Sequence, residues 1–176
     1  CATFHIRGVT GDLLPILEPR WHSRQHFAAI QPEHSPIALR AQTNNIGEFT
    51  QFYGPNRDAA LPGPDLETNW VESPPRVLWR HPVGPGWSGF AVRDGLAVTL
   101  EQRDQNECVV CYDALTGAPV WSHEDQTHYA TIIAGDGPRS TPTIVTNRVY
   151  TFGATGLLNC LDLASGKVIW SRDTAR

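Results

Sequence analysis

The residues able to do chemistry in this chain fall in a few short stretches. CVVC (108–111) has the CxxC spacing of redox and metal sites. It sits inside a β pattern, however, where residues three apart point to opposite faces. Neither a disulfide nor a shared metal suits that geometry, and a Tyr rather than a His follows, so it is not a haem attachment site. The expectation is buried structural cysteines. GDGPRSTPT (135–143) places Arg139 beside Asp136, Ser140 and Thr141. A guanidinium there offers a planar donor fork for an anion or a carbonyl. The plainer and preferred alternative has Arg139 pairing with Asp136 or Glu101 and tying neighbouring repeats. EQRDQNE (101–107) holds Glu101, Gln102 and Arg103 and reads as a solvated loop. Trp87, in GPGWSGF (84–90), could stack on a planar ligand, with packing the preferred role. The seven His are scattered, and none is assigned as a ligand. No Ser-His-Asp set, phosphate loop or zinc spacing is readable, and no metal ligand is assigned.

These stretches are positioned by a repeat. CYDALTGAPVWS (111–122) returns 49 residues later as CLDLASGKVIWS (160–171), with Cys, Asp, Gly, Trp and Ser in register. A period of that size marks a repeat architecture. Strands are expected at 89–94, 96–102, 108–113 and 118–124, with Asp94-Gly95 as a hairpin turn. The cycle restarts with 141–147, 148–154, 157–162 and 167–173. Each unit is a four-stranded antiparallel meander of the length of one β-propeller blade. The predicted fold class is therefore all-β, a propeller with two blades at about 86–124 and 137–173.

Each landmark has a physical role. Asp113 and Asp162 can bond local backbone and fix a corner. Gly117 and Gly166 supply the turn. Trp121 and Trp170, on the outermost strands, are large enough to cover the seam to the next blade. RVLWR carries Trp79 in the same outer-strand pattern, so 76–81 reads as the outer strand of an incomplete blade, within a strand predicted over 76–84. In a meander, connections alternate between the two ends of the sheet. Glu101, Gln102 and Arg103 should therefore share an end with Asp136, Arg139, Ser140 and Thr141, with Trp87 and Ser88 in the matching stretch of the first blade.

The bulk numbers set limits. Hydrophobic residues at 40% and charged residues at 18% suit a packed core, and 15 Gly with 14 Pro suit many short strands. A formal net charge of −4 argues against a nucleic-acid partner, which would meet a basic face. No apolar run reaches the roughly 20 residues of a membrane span. A lipid-modified Cys1 is set aside, because FHIRGVTGDLLP follows closely instead of a polar tether. There is no Met, and both ends look cut. The expectation is an N-terminal part of a longer protein, with residues 1–48 a lead-in or linker and the remaining blades beyond Arg176.

The pattern D-x-x-[TS]-G-x-x-[VI]-W, at Asp113–Trp121 and Asp162–Trp170, resembles the PQQ-like (quinoprotein) β-propeller repeat family. The resemblance covers roughly 49–176. The stretch QFYGPNRDAALPG also looks like the lead-in of such propellers in envelope proteins of planctomycete-like bacteria, where a Gly usually follows the Arg-Asp; here it is Ala59. The resemblance implies a propeller of about seven or eight blades and a location in the periplasm or cell envelope. It implies either a binding or scaffolding propeller, with an envelope protein, peptide or small ligand on the face carrying Arg139, or a PQQ-dependent alcohol or sugar dehydrogenase. The latter would use PQQ and Ca²⁺, with catalytic residues beyond this chain. The scaffold is the leading reading; a purely structural repeat arm is the third. The dehydrogenase signatures, a vicinal Cys pair and a calcium-binding Asn/Asp set, are not visible.

Overall fold

The computed structural model describes residues 3–10, 12, 14–21, 47–61 and 66–175. In chain order the strands are β1 (Phe4–Val9), β2 (Pro15–Pro19), β3 (Ala91–Arg93), β4 (Leu96–Arg103), β5 (Asn106–Asp113), β6 (Pro119–Asp125), β7 (Ala130–Thr131), β8 (Gly135–Asp136), β9 (Thr143–Val145), β10 (Arg148–Phe152), β11 (Leu157–Asp162) and β12 (Val168–Asp173). β3-β4-β5-β6 and β9-β10-β11-β12 are two four-stranded antiparallel meanders, as the repeat predicts. β1 and β2 pair with each other as a separate hairpin, and β7 and β8 form a small ribbon between the blades. Of the lead-in or linker predicted over 1–48, residues 22–46 fall outside the described residues.

The repeat is reproduced down to its irregularities. The outer pairing shifts register between Cys111 and Tyr112 in the first blade, and between Cys160 and Leu161 in the second. Asp113 Oδ1 accepts the amides of Leu115 and Thr116 at 3.0 and 2.8 Å. Asp162 Oδ1 accepts the Ser165 amide at 2.9 Å. A carboxylate receiving the donors of its own turn fixes that corner, which is why Asp recurs there.

The first blade is buried on both faces. Leu96, Val98, Leu100, Val109, Cys111 and Trp121 pack against Ile144, Val149, Leu161 and Leu163 of the second blade. Cys108, Val110 and Tyr112 make the opposite face. Cys108 and Cys111 thus point apart, and both are free thiols. Burial pushes the Cys108 thiol up to about 12, with the nearby carboxylates of Glu124 and Glu101 adding to the rise. Burial raises Cys111 further in the same direction. Neither is a thiolate at neutral pH, and only a thiolate is a nucleophile or a ligand.

The tryptophans clamp the seams. Trp121 donates from Nε1 to Leu163 O at 2.8 Å, and Trp79 donates to the equivalent Ala114 O at 3.0 Å. Each indole lies flat over a turn glycine. A Cβ on Gly166 would sit 2.5 Å from the Trp121 ring, and one on Gly117 2.5 Å from Trp79. Both glycines are at positive φ, +69° and +71°, so the position requires glycine on two counts.

One expectation is corrected, that for EQRDQNE. Residues 76–84, read as the outer strand of an incomplete blade, form no ladder among the described residues. They lie as a cover over the Tyr112 face, where Trp79 and His81, together with Phe90, ring that side chain at 6.4, 5.0 and 6.3 Å. EQRDQNE is not a solvated loop. β4 and β5 run through it, leaving Asp104 and Gln105 as the turn, and Glu101, Gln102, Arg103 and Glu107 are buried. The reason is pairing. Glu101 and Arg103, two apart on one strand, share a face and neutralise each other at 2.9 Å.

A strap joins the inner strands. Phe49 and Val92 exchange both backbone hydrogen bonds, at 2.9 and 2.8 Å, and Ile144 N donates to Thr50 O at 2.7 Å. One dipeptide therefore ties the innermost strand of each blade.

Candidate functional site

The connection between the blades, residues 126–142, carries Asp136, Arg139, Ser140 and Thr141 of the residues singled out in the sequence. Its frame is built by Arg139. One terminal nitrogen donates to Gly137 O at 2.6 Å, and to Asp136 O and Pro138 O at 3.3 Å each. The other donates to Gly135 O at 2.6 Å. The guanidinium carbon lies 5.3 Å from the Tyr129 ring centroid, a cation–π contact. Arg139 thus binds carbonyls, and they are those of its own loop. It meets the backbone carbonyl of Asp136 and not its carboxylate, which instead lies 4.0 Å from His128 Nε2. Ser140 Oγ donates to Phe152 O at 2.6 Å, and Thr141 Oγ1 accepts the Gly89 amide at 2.9 Å.

Trp87 lies against this frame from the first blade. Its amide donates to Pro138 O and its Nε1 to Ala134 O, both at 2.9 Å. Ser88 Oγ accepts the Leu100 amide at 3.1 Å, anchoring the segment to β4. The backbones pass so closely that a Cβ on Gly137 would collide with Pro85 O. Trp87, Asp136, Arg139, Ser140 and Thr141 are therefore brought together. Glu101 and Arg103 are not. Their charged groups turn to the other face of the blade, where the Glu101 carboxylate takes the Gly84 amide, Arg103 and the Tyr112 hydroxyl. Burial, reinforced by the Glu101 charge, raises the Tyr112 hydroxyl well above its ordinary range.

The structure adds residues the sequence did not single out. Ile132 and Ile133, at the tip of the β7–β8 ribbon, are 67% and 71% exposed, and Trp87 beside them is 68% exposed. The signal was present as an apolar pair between a short strand and a Gly turn, but the pattern alone does not say that the ribbon projects. Glu107 is the second addition. It accepts the Ala154 amide across the blade seam at 3.1 Å, and burial raises its carboxyl above the ordinary value, helped by the Asp125 charge. Asp125 in turn accepts Asn159 Nδ2 at 2.7 Å and lies 3.1 Å from His123 Nε2.

PQQ is a planar polycarboxylate, and Ca²⁺ takes six or more oxygens in typical sites. The described residues of this connection do not fit that pair. Arg139 is committed to four carbonyls, and Glu101, which lies outside the connection on the other face of the blade, is committed to three donors. No group of three His, Cys, Asp or Glu side chains is arranged for a metal among the described residues.

Fold and clamps define a class, the β-propeller built of tryptophan-docked repeats. The chain belongs to the PQQ-like repeat family whose model is described as outer membrane protein assembly factor BamB, matched over residues 73–176. A search of the curated proteins finds no match. Among solved structures, the chain is similar to BamB from Moraxella catarrhalis, at 23% identity and a TM-score of 0.38, over 50% of this chain and 24% of that one. It is also similar to a europium-containing methanol dehydrogenase, at 17% identity and a TM-score of 0.40, over 58% of this chain and 20% of that one. The chain thus spans about a quarter or less of the length of each. No helix among the described residues is long and apolar enough to cross a membrane.

Proposed function

We propose that this chain is part of a binding or scaffolding propeller of the cell envelope, and that it holds a protein partner on the connection end that carries Arg139. The observation that carries the reading is the exposed apolar set Trp87, Ile132 and Ile133 on a fixed frame. The polar groups beneath it, Arg139 above all, are committed to their own loop, so the frame is rigid before any partner arrives. Aromatic and aliphatic side chains held in that way are the usual anchors of protein interfaces. The envelope location and the scaffold role draw on family membership, whose description names an outer-membrane assembly factor.

The test is retention of envelope proteins by the immobilised chain. A bound envelope protein should be lost with both Trp87→Ala and Ile133→Asp, while the melting curve of Ile133→Asp stays unchanged. Saturable PQQ binding with Ca²⁺, together with dye reduction in the presence of alcohols, would overturn the reading in favour of the dehydrogenase.

A further inference from the structure

Beyond the strap at Phe49 and Thr50, residues 51–59 form a knob with features that blade packing does not require. Tyr53, Arg57 and Ala59 all adopt left-handed φ values of 63°, 60° and 59°, a region non-glycine residues avoid. The conformation is held by Gly54 N to Gln51 O at 2.9 Å, Arg57 N to Gly54 O at 3.1 Å and Ala59 N to Tyr53 O at 2.9 Å. Gln51 Nε2 adds a bond to Pro55 O at 3.0 Å. Phe49 takes the inner position, its ring so close to Gly54 that a Cβ there would lie 2.8 Å away. Phe52 and Tyr53 are left outside, 58% and 53% exposed, with ring centroids 4.0 Å apart.

Arg57 completes the arrangement. Its Nε donates to Gln51 Oε1 at 3.1 Å, which fixes the plane of the guanidinium. Neither terminal nitrogen has a hydrogen-bond partner among the described residues. Gln51, Phe52, Tyr53, Arg57 and Thr143 line a cleft of about 250 Å³. Val145, 51% exposed, follows Thr143 on the same face of β9, roughly 6–7 Å further along.

We infer that this cleft docks an extended segment of a partner protein that presents a carboxylate beside an apolar side chain. The open edge of the guanidinium matches a carboxylate in two parallel hydrogen bonds. The aromatic pair and Val145 offer apolar surface one strand repeat longer than a small free acid would use. Backbone strain kept outside the core is commonly associated with recognition. The site is separate from the Trp87 patch and does not rest on it.

The test uses the full chain and two fluorescein-labelled, terminally blocked peptides, Gly-Ser-Leu-Glu-Leu-Ser-Gly and its Gln counterpart, read by anisotropy. The Glu probe should saturate the chain, and the Gln probe should bind about tenfold or more weakly, the loss of one charge-assisted contact. Arg57→Gln should make the two probes equal, and Phe52→Ser should weaken both without shifting the melting curve. Equal binding of both probes to the unaltered chain, a Glu preference that survives Arg57→Gln, or no saturation by the Glu probe would overturn the inference. Free glutarate displacing the probe as well as unlabelled peptide does would overturn the peptide assignment.

Discussion

Gly166 and Gly135 have the same φ, +69°, and differ in what lies above them. A Cβ on Gly135 meets nothing within 4 Å, whereas one on Gly166 would lie 2.5 Å from Trp121 Cε3 and 2.6 Å from Cδ2. Alanine at either position carries the left-handed penalty, about 1–2 kcal/mol. At Gly166 it must also move a buried indole that is bonded to Leu163 O at 2.8 Å, an overpacking cost of about 1–3 kcal/mol. Gly135→Ala should therefore cost about 1–2 kcal/mol and Gly166→Ala about 2–5 kcal/mol, so their difference isolates the docking contact. A double-mutant cycle closes the argument. In a Trp121→Ala background the clash has no partner, and Gly166→Ala should fall to the cost of Gly135→Ala. The assay is urea unfolding of the full chain by far-ultraviolet circular dichroism, which is insensitive to losing one fluorescent Trp. Equal costs for the two glycine variants, or a Gly166→Ala cost that persists without Trp121, would refute the clamp.

Two further outcomes follow from buried and strained positions. The Glu107 carboxyl is raised above 4.5 in the folded chain, so folding favours its protonated form, and its charge is a liability once pH exceeds the raised value. Glu107→Gln should therefore be stabilised relative to the unaltered chain at about pH 8, with the advantage shrinking as pH falls towards 4.5; urea midpoints across that range check the sign. Ala59 sits at φ 59°, where glycine would relieve the left-handed penalty at some cost in chain entropy. Ala59→Gly should gain about 0.5–1 kcal/mol and raise Tm by about 1–4 °C by calorimetry, and a lowered Tm would count against the strain.

The blades were legible because their markers act locally. An Asp that bonds its own turn, a Gly at positive φ and a Trp at a fixed spacing after them, all recurring 49 residues on, can be read without knowing any distant partner. What depended on a partner was missed. The charges of Glu101 and Arg103 suggested water, and only the pairing of the two on one face, under residues 76–90, makes their burial possible. Arg139 was expected to clamp an anion or a carbonyl of a ligand or, by preference, to pair with Asp136 or Glu101. Its partners are backbone carbonyls, a class of acceptor that no residue type announces. The projecting ribbon that exposes Ile132 and Ile133 was hidden for the same reason, since an apolar pair reads as core until its neighbours are known.

The Trp79 segment shows how far the repeat logic extends beyond a blade. Trp121 reaches a turn 42 residues downstream, and Trp79 reaches the equivalent turn 35 residues downstream. The two contacts match in donor, acceptor and glycine, yet Trp121 stands on β6 of a four-stranded sheet while Trp79 stands on a segment with no ladder among the described residues. The segment is held along the face at its far end by the Gly84 amide on Glu101 and the Trp87 amide on Pro138 O. Residues 76–90 thereby cover the Tyr112 face as a neighbouring blade would, and they do so while delivering Trp87 to the connection. The same segment that shields the first blade also positions the exposed aromatic on which the proposed partner surface rests.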